Sequence, residues 1–201
     1  MNKPKLLIVD NHDSFTYNLV ESCRKFEDYD LEVIATEQVR RRHIMESNRL
    51  IISPGPGLPH ESKGLLNILS VAMQERPILG ICLGMQALAR VTGNRLIQMT
   101  DPKHGYASQI TNLEPEDLLY QKIQAPMVVG RYHSWRVDHD SLSAEWVPTA
   151  ITNSEVLMSM RHQALPIWAV QYHPESYITK QGDQVIHNFL SWTKHKSVHS
   201  A

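Results

Sequence analysis

The first 93 residues change period repeatedly, and this limits what they can fold into. KLLIVD (5–10), LEVIAT (31–36), RLIISPG (49–55) and PILGIC (77–82) are short apolar runs. Amphipathic stretches with helical spacing follow each of them, at 14–25, 37–47, 61–75 and 83–93. Apolar runs this short read as strands buried on both faces. Strands joined through helices pair in parallel, because a tight hairpin is unavailable to them. The expected fold is therefore α/β, a mostly parallel open sheet with helices on both faces. Asp13 or Ser14 is expected to cap the first helix, and Gly93 to close the fourth.

Beyond residue 93 the pattern changes. NRLIQM (94–99), SQITNL (108–113), MVVGRYHSW (127–135) and AITNSEVLMSMRH (150–162) are strand-like segments separated by turn residues, which predicts a small antiparallel extension. QALPIWAVQYHPES (163–176) returns an apolar strand, a closing helix is expected over 184–193, and HKSVHSA (195–201) should fray. With no linker, repeat or low-complexity tract, residues 1–201 read as a single domain.

Composition narrows the function. A chain of 201 residues buries roughly 70% of its unfolded surface, enough for a core without staples. Twenty basic against 21 acidic side chains give no field to concentrate nucleic acid or anionic lipid. Cys23 and Cys82 have neither CxxC nor zinc spacing, and two cysteines make no disulfide framework. LLIV is ended by Asp10, so it reads as a strand rather than an export signal, and no apolar stretch reaches the roughly 20 residues of a membrane helix. A reducing, cytoplasmic setting is expected.

Three short stretches carry chemistry. In GICLG (80–84), Cys82 sits at a strand-to-helix junction with Gly80 and Gly84 two residues to either side. A sharp turn there brings backbones too close for side chains at the flanking positions. It also places the sulfur at a helix N-terminus, which favours thiolate, with the Leu83 N–H facing an oxyanion on the attacked carbon. His173, at the end of an apolar strand, is followed by Pro174 and Glu175. Pro174 keeps the segment extended, so imidazole and carboxylate can share a side, with Glu175 fixing the tautomer and the other ring nitrogen free for Cys82. In SPGPG (53–57) a stiff loop aims the N–H groups of Gly55 and Gly57, one of which can complete an oxyanion hole. Cys23, inside a helix pattern, has no such setting.

Taken together these stretches resemble the motifs of the class I (triad) glutamine amidotransferases: GICLGMQ the nucleophile motif, QYHPES the His/Glu motif, SPGPG the oxyanion loop. DNHDSFTYNL (10–19) and RYHSW (131–135) bring the likeness nearer to glutaminase subunits of chorismate-using synthases, those forming anthranilate or 4-amino-4-deoxychorismate. The resemblance spans about residues 5–192 and implies a flavodoxin-like sheet. It further implies that Cys82 attacks the side-chain amide of L-glutamine to give a glutamyl thioester, with His173 as proton carrier and Glu175 orienting it. Gly55, Pro56 and Gly57 would line the glutamine site, Gln86 would contact the substrate, and the backbone of Ser134 and Trp135 would receive its amino-acid end. Ammonia would pass to a chorismate-binding synthase subunit in a heterocomplex, and neither cofactor nor metal is implied for this half of the reaction. The thiol and imidazole are expected to tune one another. A non-catalytic stabilising subunit is the alternative reading, against which the complete set Cys82, His173 and Glu175 weighs. Two positions depart from the resemblance: Trp135 stands where Leu is common, and Tyr106 in KHGYAS (103–108) where many relatives carry Lys.

Overall fold

The computed structural model describes residues 3–26, 28–112 and 114–193. The four apolar runs become β1 (Lys5–Asp10), β2 (Asp30–Ala35), β3 (Arg49–Ile52) and β4 (Ile78–Ile81). Between and after them lie α1 (Thr16–Arg24), α2 (Arg41–Glu46), α3 (Leu65–Glu75) and α4 (Leu83–Val91). The second half supplies β5 (Leu96–Asn112), β6 (Met127–Val137), β7 (Trp146–Thr152), β8 (Leu157–His162), β9 (Ile167–Val170) and α5 (Gly182–Leu190). All nine strands form one sheet in the order β2-β1-β3-β4-β9-β8-β7-β5-β6. The first five pair in parallel and the remainder antiparallel. The antiparallel extension therefore amounts to four strands of nine.

Period two along β1 shows why the parallel half is stable. Leu6 and Ile8 pack into one apolar cluster with α1 and α5, while Leu7 and Val9 pack into another with α3 and α4. All four side chains are fully buried, each contributing about 1.5–3 kcal/mol relative to exposure. None of the described helices is long and apolar enough to cross a membrane.

Several boundaries differ from the expectation. α1 starts at Thr16, with Phe15 rather than Asp13 or Ser14 in the capping position. Asp13 instead accepts from the Phe15 and Thr16 N–H groups through its side chain and its carbonyl, closing a turn before the helix. Stretch 37–47 divides into a 3-10 turn at Thr36–Gln38 and the short α2. α3 begins four residues late, after Gly64 at φ 90°. Residues 96–112, drawn from NRLIQM, KHGYAS and SQITNL, form one long strand, β5, whose pairing with β6 shifts register between Gln98 and Lys103 and again between His104 and Tyr106. AITNSEVLMSMRH lies across β7, a turn and β8. The closing helix begins at Gly182 and ends at Leu190, and HKSVHSA lies outside the described residues.

One contact outside the strands curls the sheet. Gly130 in β6, the last strand in the order, bridges His173 beyond β9, and the His173 N–H donates to the Gly130 carbonyl at 3.0 Å. The far edge of the antiparallel half thereby returns to the end of β9, where the parallel half begins.

Candidate active site

The carboxyl ends of β1, β3, β4 and β9 lie side by side, where open α/β sheets gather their reactive groups. Cys82 follows β4 at φ 51°, ψ −102°, a conformation uncommon for any residue but glycine, and its N–H donates to the Val170 carbonyl at 2.7 Å. The turn is held by close approach. A Cβ on Gly84 would stand 2.7 Å from the Ile52 carbonyl oxygen, and one on Gly80 2.8 Å from the Gly84 carbonyl carbon. Leu83 opens α4, so its N–H belongs to the first turn, whose donors have no intrahelical acceptor.

His173 and Glu175 meet, by a different route from the one expected. The chain after His173 is a turn, with the Ser176 N–H donating to the His173 carbonyl at 3.2 Å, not an extended strand. It is this turn that brings Nδ1 to 2.7 Å from Glu175 Oε1. Thr179 braces it, its hydroxyl donating to the His173 carbonyl at 2.7 Å and accepting from the Gly130 N–H at 2.9 Å. Burial on its own lowers the His173 pKa, but the Glu175 carboxylate and the Cys82 sulfur outweigh it and hold the imidazole well above its usual value. Nε2 is buried and bonded to no other group among the described residues. The rings of Phe15 and Tyr132 stand at 5.3 and 4.9 Å from the imidazole, edge to face.

Beside the sulfur lies a cavity of about 240 Å³ lined by Gly55, Pro56, Gly57, Cys82, Leu83, Gln86, Tyr132, His133, Ser134 and Trp135. This is below the roughly 300–1,000 Å³ typical of drug-sized ligands and suits an amino acid. All seven residues assigned from sequence to substrate contact are on its wall. Both Nε2 hydrogens of Gln86 are spent inside the protein, on the Trp135 carbonyl at 2.9 Å and on Gln171 Oε1 at 3.2 Å, which leaves Oε1 as its group without a partner among the described residues. The Trp135 carbonyl also meets His133 Nδ1 at 2.8 Å, so this oxygen is already engaged.

Sequence reading missed several residues that shape the site. Asn11 is buried and pins the SPGPG loop: its N–H donates to Ser53 Oγ and its amide to the Ser53 carbonyl, both at 2.9 Å. Gln171, fully buried, donates from Nε2 to Cys82 Sγ at 3.5 Å. His133 accepts from Arg131 Nε at 3.1 Å, and burial, followed by the Arg131 charge, pushes its pKa down to about 4. That ring is neutral at pH 7, with Nδ1 carrying the proton toward Trp135. A buried polar residue two positions before His173 was the available signal for Gln171. Nothing in DNHDSFTYNL distinguished Asn11 as a brace or Phe15 as a ring packed on His173.

The second cysteine has none of these features. Burial pushes the Cys23 thiol up to about 12, which leaves it inert at neutral pH.

Fold and cavity together define an α/β enzyme with a thiol held at the carboxyl edge of its sheet. The chain belongs to the glutamine amidotransferase class-I family, whose pattern matches residues 7–192. It is 36% identical to anthranilate synthase component 2 of Pyropia yezoensis, over 94% of this chain and 100% of that one. With aminodeoxychorismate synthase component 2 of Escherichia coli it shares 34%, over 92% and 98%. A glutamine amidotransferase of Thermotoga maritima superposes with TM-score 0.73, covering 99% of this chain and 87% of that one, at 15% identity, a likeness of fold.

Proposed function

We propose that this chain releases ammonia from L-glutamine at Cys82 and delivers it to a chorismate-using synthase subunit. The observation that carries the reading is the arrangement at one cavity: Cys82 on its strained turn, the bonded His173–Glu175 pair beside it, and a space of amino-acid size. The Cys82 sulfur attacks the amide carbon of the glutamine side chain, and the oxyanion that forms faces the N–H groups of Leu83 and the SPGPG loop. The C–N bond breaks as the His173 imidazolium, kept charged by Glu175, gives its proton to the departing amine. Water then enters, the imidazole takes its proton, and the C–S bond breaks to release glutamate. Gln86 Oε1 is an acceptor suited to the substrate's ammonium group.

The partner follows from the relatives, which are named as second components of synthases on both the anthranilate and the aminodeoxychorismate branch. Ammonia freed into neutral water becomes ammonium, which is no nucleophile, so release next to an acceptor subunit is what makes the hydrolysis useful. Purified chain with amide-labelled glutamine is expected to release glutamate slowly, and faster once a synthase subunit and chorismate are added, with the label in the aminated product. Cys82→Ala should lower glutamate release about 10⁴-fold or more. Full glutaminase activity of the isolated chain, with no transfer of label to any such subunit, defeats the proposal.

A further inference from the structure

A second cavity, of about 680 Å³ and open to solvent, lies on the antiparallel half against β5, β6 and the β7–β8 turn. Three basic side chains line it, Lys103, Arg131 and Arg136, against a single acidic one, Asp101. Asp101 is already bound by Lys103. Among the described residues neither arginine has a carboxylate within 4.0 Å.

Arg131 is the unusual member. It is only 3% exposed, yet its guanidinium is met by three weak acceptors: His133 Nε2 at 3.1 Å, Ser108 Oγ at 3.4 Å and Met99 Sδ at 3.9 Å. A guanidinium has five N–H donors and stays charged in proteins, so two donors are left without a match, and its charge is answered only at a distance by Asp101, which Lys103 already holds. Burying a cation this way is costly unless an anion comes to it, and the planar fork suits the two oxygens of a carboxylate or phosphate. Arg136 lines the same cavity and is close enough to repel Arg131, so the pair presents two positive charges to one space. The Ser108 hydroxyl and the Asn153 side chain, also on the wall, offer further polar contacts.

We infer that this cavity binds a small oxyanion, a carboxylate or phosphate group held between the guanidinium groups of Arg131 and Arg136. The inference is independent of the glutaminase reading, although the two cavities share a wall: Arg131 lines one, and its bonded neighbour His133 lines the other.

Thermal unfolding of the full chain tests it, with chloride exchanged for inorganic phosphate or acetate at constant ionic strength. A saturable rise in Tm is expected with at least one of them, about 4 °C at tenfold its Kd. Preference for phosphate points to a free phosphate-bearing ligand, and preference for acetate to a carboxylate carried by a metabolite or a partner's acidic side chain. Arg136→Gln, on the half-buried rim, should weaken the binding about tenfold, and Arg131→Gln should remove it. Should Arg131→Gln fail to fold, the rim variant still decides. Equal Tm in chloride, phosphate and acetate overturns the inference, as does a full anion response in Arg136→Gln.

Discussion

The two halves of the sheet place reactive groups by different physics. In the parallel half, Leu6 to Val9, Leu50 to Ile52 and Ile78 to Ile81 are buried on both faces, and Cys82 is positioned by contact, with Gly80 and Gly84 removing the atoms that would push the turn open. In the antiparallel half, buried polar side chains carry the load. Arg131, His133, Ser159 and Thr149 are buried within the antiparallel strands, and each finds a hydrogen-bond partner. His173 belongs to both, following a parallel strand but bonded through its backbone to β6. Steric placement resists movement. Hydrogen-bonded placement is directional and sensitive to protonation.

Glu175→Gln tests the hydrogen-bonded side most severely. Loss of the charge at 2.7 Å from Nδ1 removes the main upward pull on the imidazole, and kcat should fall about 10⁴-fold. The sign of the pH effect is fixed. His173 lies above its ordinary value of 6.5, so the charged form persists at neutral pH and is lost as pH rises through the elevated value. The alkaline limb of the wild-type pH–rate profile should move to lower pH in the variant. An unmoved limb would break the comparison.

On the steric side, Gly84→Ala forces a methyl group to within 2.7 Å of the Ile52 carbonyl oxygen, a backbone atom that has no side-chain freedom to yield. A loss of about 2 kcal/mol in chemical denaturation is expected, together with reduced activity. Gly105→Ala is the contrasting change. Its Cβ meets nothing nearer than 3.7 Å, so at φ 68° it should cost only backbone strain of about 1 kcal/mol.

Gln171→Met sharpens the contrast inside the site. It removes the N–H donor to the sulfur while nearly conserving volume, so the alkylation rate of Cys82 at pH 7 should fall about tenfold. Cys23, held near 12, leaves Cys82 as the reactive thiol in this measurement.

His133→Asn gives a pH-dependent effect of known direction. The folded ring titrates near 4 against an ordinary 6.5, so the unfolded chain takes up the proton first and stability is lost as pH falls from 6.5 toward 4. Asp117, pushed up to about 6 chiefly by burial, acts in the opposite sense over the same range. The difference between variant and wild type in urea unfolding at pH 7 and 4.5 isolates the histidine, and the variant should lose less on acidification.

The same division decided what could be read in advance. Short apolar runs give the parallel strands because burial on both faces leaves one interpretation, and GICLG marks the thiol because only glycine allows that approach. β5 resisted reading because its 17 residues carry turn formers, Pro102 and Gly105, that are absorbed as register shifts against β6 instead of ending the strand. The His173–Glu175 pairing was reached through the wrong local geometry: the bond is there, but a turn braced by Thr179 makes it, and that hydroxyl lies six residues from His173. Asn11 and Gln171 act through distant partners, Ser53 and Cys82, which no local pattern connects.

The backbone hydrogen bond from His173 to Gly130, reinforced through the Thr179 hydroxyl, has a mechanical consequence. It links the proton carrier to the outermost ribbon of the sheet, whereas the sulfur is rooted in the interior. The spacing of the two reacting groups therefore depends on how the sheet's edge strand is seated against the turn after β9.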